Sequence, residues 1–115
     1  MAKYLPIEVD KIPYSFNVEL SNKIYTITLK YNDYSDEFTM DLKLGGEILV
    51  KGKKMLIGEP IFEEFSKDLN GNKNPKFFDE LLVPYDLSWE ENVITLDNLN
   101  KKVFVYVFDG DNNDV

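Results

Sequence analysis

From Tyr14 to Lys51 apolar and polar residues alternate with a period of two, interrupted only by short clusters of turn-forming residues. Tyr14, Phe16, Val18 and Leu20 share one parity, with Ser15, Asn17, Glu19 and Ser21 on the other. A strand patterned this way lays one face on a core and the other in water. Asn22-Lys23 separates it from a second run, Tyr25, Ile27, Leu29 and Tyr31 against Thr26, Thr28 and Lys30. After the turn cluster Asn32-Asp33-Tyr34-Ser35-Asp36 comes a third, with Phe38, Met40, Leu42 and Leu44 on the apolar parity. Gly45-Gly46 supplies the positive φ of a tight hairpin, and Glu47 to Lys51 returns as a fourth strand. Three short connections in succession predict an antiparallel meander.

The pattern then changes. Gly58 ends it, Pro60 suits a first helical position, and Ile61, Phe62, Phe65 and Leu69 fall at helical spacing before Asn70-Gly71. This predicts one helix of about ten residues covering an open end of the sheet. Asn70 to Lys76 is a polar loop, and Phe77-Phe78 with Leu81-Leu82 could add one helical turn before Pro84. Leu81 to Leu87, Asn92 to Leu96 and Lys102 to Phe108 have the composition of strands. Val103 to Phe108 is apolar at both parities, as expected of a strand covered on both faces. The expected architecture is mainly β: a small antiparallel barrel or sandwich of six to eight strands with one short inserted helix. At 115 residues the chain fits one β-domain over 1–108, followed by an acidic tail over 109–115.

Composition narrows the chemistry. All thirteen basic residues are lysine; there is no arginine, histidine or cysteine. Disulfides, thiolate nucleophiles and Cys-ligated metals are thereby excluded, as are histidine bases and the arginine fork that recognises phosphate. A formal charge of -8 opposes the phosphate neutralisation on which nucleic-acid binding depends. No stretch reaches the ~18 consecutive apolar residues of a membrane helix, and Met1 to Pro6 lacks the apolar core of a secretory signal. Folding in the cytoplasm where the chain is made is the expectation.

Candidate sites are few. The neighbours Glu63-Glu64, Asp79-Glu80 and Glu90-Glu91 point apart on a helix or a strand, so none makes a facing glycosidase pair alone. Asp109-Gly110-Asp111-Asn112-Asn113-Asp114 begins like a calcium loop, but Asp114 stands where that loop requires glycine. The serines lack a histidine to activate them, and Gly45-Gly46, Gly52 and Gly58 make no phosphate loop. No catalytic residue, cofactor or metal is expected. What remains is binding through residue types enriched in interfaces. Tyr14, Tyr31 and Tyr106 are assigned to the core; Tyr4, Tyr34 and Trp89, in or beside turns, are assigned to partner contacts. Val103, Val105 and Val107 join them, on the strand expected to be covered on both faces.

The order of segments resembles the phage baseplate plug family. Tyr4-Leu5-Pro6-Ile7, Tyr14 to Leu20 (Tyr-Ser-Phe-Asn-Val-Glu-Leu) and Ile24 to Asn32 (Ile-Tyr-Thr-Ile-Thr-Leu-Lys-Tyr-Asn) are similar to its opening strands. Phe38 to Leu42 with Gly45-Gly46, then Gly52 to Gly58, and finally Leu96 to Leu99 with Val103 to Val107 continue the likeness over roughly residues 4–108. Lys54 stands where the family has proline and Asn100 where it has glycine, and Phe77 to Glu91 is longer than the family's span. The resemblance implies a non-enzymatic component of a contractile-tail baseplate, working by contact with hub, spike, tube-end or wedge subunits. It further implies several copies in a symmetric assembly, made in the host cytoplasm and carried in the virion tail, with neither nucleic-acid recognition nor a membrane. The alternative from another class is a β-sandwich module that binds a carbohydrate or peptide through Trp89 and Tyr85. A third is a hydrolase or lyase built on carboxylates.

Overall fold

A computed structural model describes residues 3–108. Its strands are β1 (Lys3–Tyr4), β2 (Tyr14–Leu20), β3 (Lys23–Asn32), β4 (Glu37–Leu44), β5 (Glu47–Lys54), β6 (Leu81–Tyr85) and β7 (Phe104–Phe108). They form two antiparallel sheets, of order β2-β3-β4-β5 and β1-β7-β6. The sheets share one core in an open sandwich, and neither closes into a barrel. The acidic tail and its calcium-loop-like run lie outside the described residues.

The meander follows its pattern closely. The β2–β3 turn is Ser21–Asn22, one residue earlier than the expected break, with positive φ at both positions (52° and 64°). Those dihedrals match the twist of the flanking strands, and asparagine tolerates them. Tyr25, Ile27 and Leu29 of β3 and Phe38, Met40 and Leu42 of β4 are buried from one face of this sheet. Tyr14 and Tyr31 are half-buried on the same parity. The strand β5 runs three residues beyond the expected Lys51, through Gly52 at φ 71°. Asp41 makes this possible. Its carboxylate accepts the Gly52 N–H at 2.7 Å and the Lys30 ammonium at 3.1 Å, which holds the irregularity in register between β4 and β5.

The expected ten-residue helix is corrected to a single 3-10 turn, Glu63–Phe65. The backbone before it is spent elsewhere: the Gly58 N–H donates to the Pro84 carbonyl and the Ile61 N–H to the Leu82 carbonyl, covering the outer edge of β6. Phe62 then takes φ 73°, which no helix continues through. Phe62, Phe77 and Phe78 are buried and close the end of the sandwich below Tyr25, whose ring meets Phe78 edge-on at 5.2 Å. Leu69, expected on the apolar helix face, stands fully in solvent. Phe77-Phe78 forms no helical turn, and Leu81-Leu82 belongs to β6.

The expected strand over Asn92 to Leu96 is also absent. Asn98 claims that backbone: its Oδ1 accepts the Thr95 N–H, and its Nδ2 donates to the Val93 carbonyl and to Glu91 Oε1. Among the described residues no helix is long and apolar enough to cross a membrane.

Candidate interaction surface

The pairing of the three-stranded sheet sorts its side chains. Tyr4 lies opposite Tyr106, while Leu81, Val83 and Tyr85 lie opposite Phe108, Tyr106 and Phe104. Residues directly opposed across antiparallel strands project to the same face. The alternate set, Leu82, Pro84, Val105 and Val107, packs inward, with Leu82 and Val105 completely buried. Every outward position of β6 and β7, and Tyr4 of β1, is therefore apolar or aromatic, and none is charged.

The rings on this face touch one another. Tyr4 stands 4.5 Å from Phe104 and 6.3 Å from Tyr106, centroid to centroid. Tyr106 is flanked by Phe104 at 5.9 Å and Phe108 at 6.4 Å. Only 7% of Tyr106 is exposed, whereas Tyr4 and Phe108 keep 49% and 46% of their surface in water. Burial pushes the Tyr106 phenol above its ordinary pKa, and the negative charge of Asp86 adds to this. Tyr106 thus counts as buried, as the sequence predicts, but beneath its own neighbours on the outer face and not between the sheets.

Beyond Tyr85 the chain turns at Asp86, a buried carboxylate surrounded by donors. The Ser88 hydroxyl donates at 2.6 Å and the Ser88, Glu90 and Glu91 backbone N–H groups at 2.9, 3.1 and 2.8 Å. The Ser88 hydroxyl bond, with the backbone donors, holds this carboxyl at a pKa of about 2. At the apex Trp89 adopts φ 64°, a conformation that costs a bulky residue roughly 1–2 kcal/mol. Its indole is 81% exposed and stands edge-to-face against Tyr85 at 5.4 Å. The local structure thus holds Trp89 in solvent at an energetic cost, a pattern associated with functional surfaces.

The structure brings two of the sequence-predicted contact residues to one sheet, Tyr4 against Phe104 and Trp89 against Tyr85, with Phe104 and Tyr85 opposite each other in the strand register. Tyr34 stands apart on the β3–β4 turn, 96% exposed, above an Asn32 side chain that accepts the Tyr34 and Ser35 N–H groups. Val103 and Val105 are wholly buried in the chain's own core, and Val107 packs against it. Val103 and Val105 therefore present no surface to a partner in this fold, and Val107 is half-buried. The outward parity is Phe104, Tyr106 and Phe108, which sequence reasoning passed over. The signal was present: slim β-branched residues alternate with rings from Val103 to Phe108, and the core between two sheets takes the slim set.

Most acidic side chains among the described residues are tied to lysines or to polar donors. Glu37 is paired with Lys54, Glu64 with Lys53, Asp79 with Lys73 and Glu90 with Lys102, and Glu80 accepts the Ser21 hydroxyl at 2.7 Å. Every carboxyl with a resolved shift (Glu37, Asp41, Glu64, Asp86) is lowered, the opposite of what a general acid needs near neutrality. Among the described residues no three acidic side chains converge as a metal site would require.

Compared with known proteins, residues 2–111 match a family model described as cyanophage baseplate Pam3 plug gp18. No curated protein matches the chain.

Proposed function

The chain belongs to the phage baseplate plug family, and from that premise we propose that it is a non-catalytic building block of a contractile tail, bridging hub, spike, tube-end or wedge subunits through protein contacts alone. The observation that carries this reading is a family match spanning almost the whole chain. A structural role in the baseplate needs surfaces and no reaction centre. The aromatic face of β1, β7 and β6, continued by Trp89, is the surface of this chain best suited to it. Tyr4, Phe104, Phe108 and Trp89 are the contact residues, and Tyr34 serves a separate neighbour. Large rings bury much area at little entropic cost, which is why they anchor interfaces. Assembly takes place in the host cytoplasm, several copies enter one symmetric particle, and no nucleic acid or membrane takes part.

The reading of a glycan-binding module rests on Tyr85 and Trp89. Their rings stand 81° apart, an arrangement without the flat platform that sugar stacking uses.

The test is made on contractile particles assembled with a Tyr4→Ser, Phe108→Ser double variant, chosen because both rings are half in solvent and their loss leaves the core intact. The folded variant should be missing from purified tails in which the unaltered protein is present at fixed stoichiometry. Tails that incorporate it equally, or imaged baseplates in which this face meets only solvent, would refute the proposal.

A further inference from the structure

Three of the four sheet edges are blocked. The edge of β6 is covered by the backbone bonds from Gly58 and Ile61, and β1 is only two residues long. The strand β5 is broken in register, bent at Gly52 and lined with Lys51, Lys53 and Lys54. Such features keep edges from pairing with other chains. The fourth edge, β2, has none of them. Its seven residues run in unbroken register with β3 and carry a single charge, Glu19.

The turn geometry shows which of its groups are free. A two-residue turn with positive φ at both positions is closed by a hydrogen-bonded pair, here Leu20 and Lys23. Bonding to β3 then alternates back through Val18, Phe16 and Tyr14. The N–H and C=O of Ser15, Asn17 and Glu19 point away from β3, and none has a backbone partner elsewhere among the described residues. Along the same edge Phe16 and Val18 are only half-buried, although the residues paired with them on β3, Ile27 and Tyr25, are completely so. Both the backbone and the apolar side of β2 therefore lack one more strand.

We propose that the missing strand is the β2 of a second copy, paired antiparallel about a two-fold axis through Asn17. In that register Asn17 bonds its symmetry mate, and Ser15 meets the partner's Glu19, a hydroxyl facing a carboxylate. Phe16 lies against the partner's Val18, so each covers what the other leaves open. No like charges oppose one another, whereas β5 paired with itself in the same manner would set lysine against lysine. The two four-stranded sheets become one continuous sheet, and the interface is isologous and closes at two. Each copy carries -8, so salt should strengthen the association by screening the repulsion between copies.

The experiment is sedimentation of the isolated full-length protein over rising concentration, at low and at high salt. It reads self-association alone and stays independent of any role in a baseplate. The unaltered protein should pass from monomer to dimer and no further, more readily at high salt. Asn17→Pro should abolish the dimer while leaving the monomer folded, because the lost N–H bonds nothing within it. Asn17→Lys, which sets two ammonium groups at the axis, should weaken the dimer about tenfold. In the unaltered protein, amide exchange at Ser15, Asn17 and Glu19 should slow as concentration rises. A protein that stays monomeric at millimolar concentration in high salt, a dimer indifferent to both variants, or association beyond two would each overturn the proposal.

Discussion

Residues 14–54 and residues 55–103 satisfy their backbones in opposite ways. In the meander, strand pairs with strand and the side chains are left to fill the core. In the second stretch only β6 is a strand, and polar side chains take the place of a ladder. Asp68 accepts the N–H groups of Asn70 and Asn72, Asp86 those of Ser88, Glu90 and Glu91, and Asn98 that of Thr95. The consequence is a difference in what reaches solvent. A ladder fixes both parities, so most apolar side chains of the meander end up inside, Ile24 and Ile48 beside its hairpin turns being exceptions. A loop tied by a polar side chain is free to turn a large apolar side chain outward, as Leu69, Trp89 and Val93 are there and as Tyr34 is on the β3–β4 turn.

The sharpest way to break this comparison is to ask whether the halves stand or fall together. Val105 is wholly buried in the core that both share, and Val105→Asp should cost on the order of 4 kcal/mol. In urea, the far-ultraviolet signal of the sheets and the emission of Trp89 should shift to a lower midpoint together. If only one moves, the halves are separate units. Asn98→Ala removes the clamp on residues 91–95 and should cost about 2 kcal/mol. Amide exchange should quicken through that stretch and remain unchanged in β3.

Replacing Trp89 should act in the reverse direction. Trp89→Gly relieves a left-handed backbone and should stabilise the isolated protein by up to about 1 kcal/mol in thermal unfolding, while impairing incorporation into tails. A loss of stability instead would mean that the indole serves the fold. The most local effect is that of acid. The Asp86 carboxyl is lowered from 3.8 to about 2, so its contribution is complete above about pH 5 and is lost progressively as the pH falls through 2. Trp89 emission should change across that window, and Asp86→Asn should remove the change.

How legible each half was in the sequence follows from the same contrast. Alternation of period two and the Gly45-Gly46 pair encode β2 to β5 locally, and those four strands lie where the pattern predicts them. The reach of β5 to Lys54 was not legible, because it depends on Asp41 meeting Gly52 across the sheet. Helical spacing from Ile61 to Leu69 was overridden by a distant event, the pairing of Ile61 with Leu82. Asn92 to Leu96 has strand composition, yet Asn98 takes its bonds. For the surface, Tyr4, Tyr34 and Trp89, assigned to partner contacts from their neighbouring turns, are all exposed. The assignment of Val103 and Val105 to partner contacts gives way to burial in the chain's own core, because a strand apolar at both parities does not declare which side is out until its partners are known.

The pairing of Lys3 with Val107 and of Tyr4 with Tyr106 has a consequence for biosynthesis. A ribosome releases Tyr4 about a hundred residues before the segment that receives it. The meander can close on itself while translation continues, but the ring-covered sheet has no centre until 104–108 emerge. Chains terminated before residue 104 therefore lack the middle strand of that sheet, and with it the surface on which β1 is held.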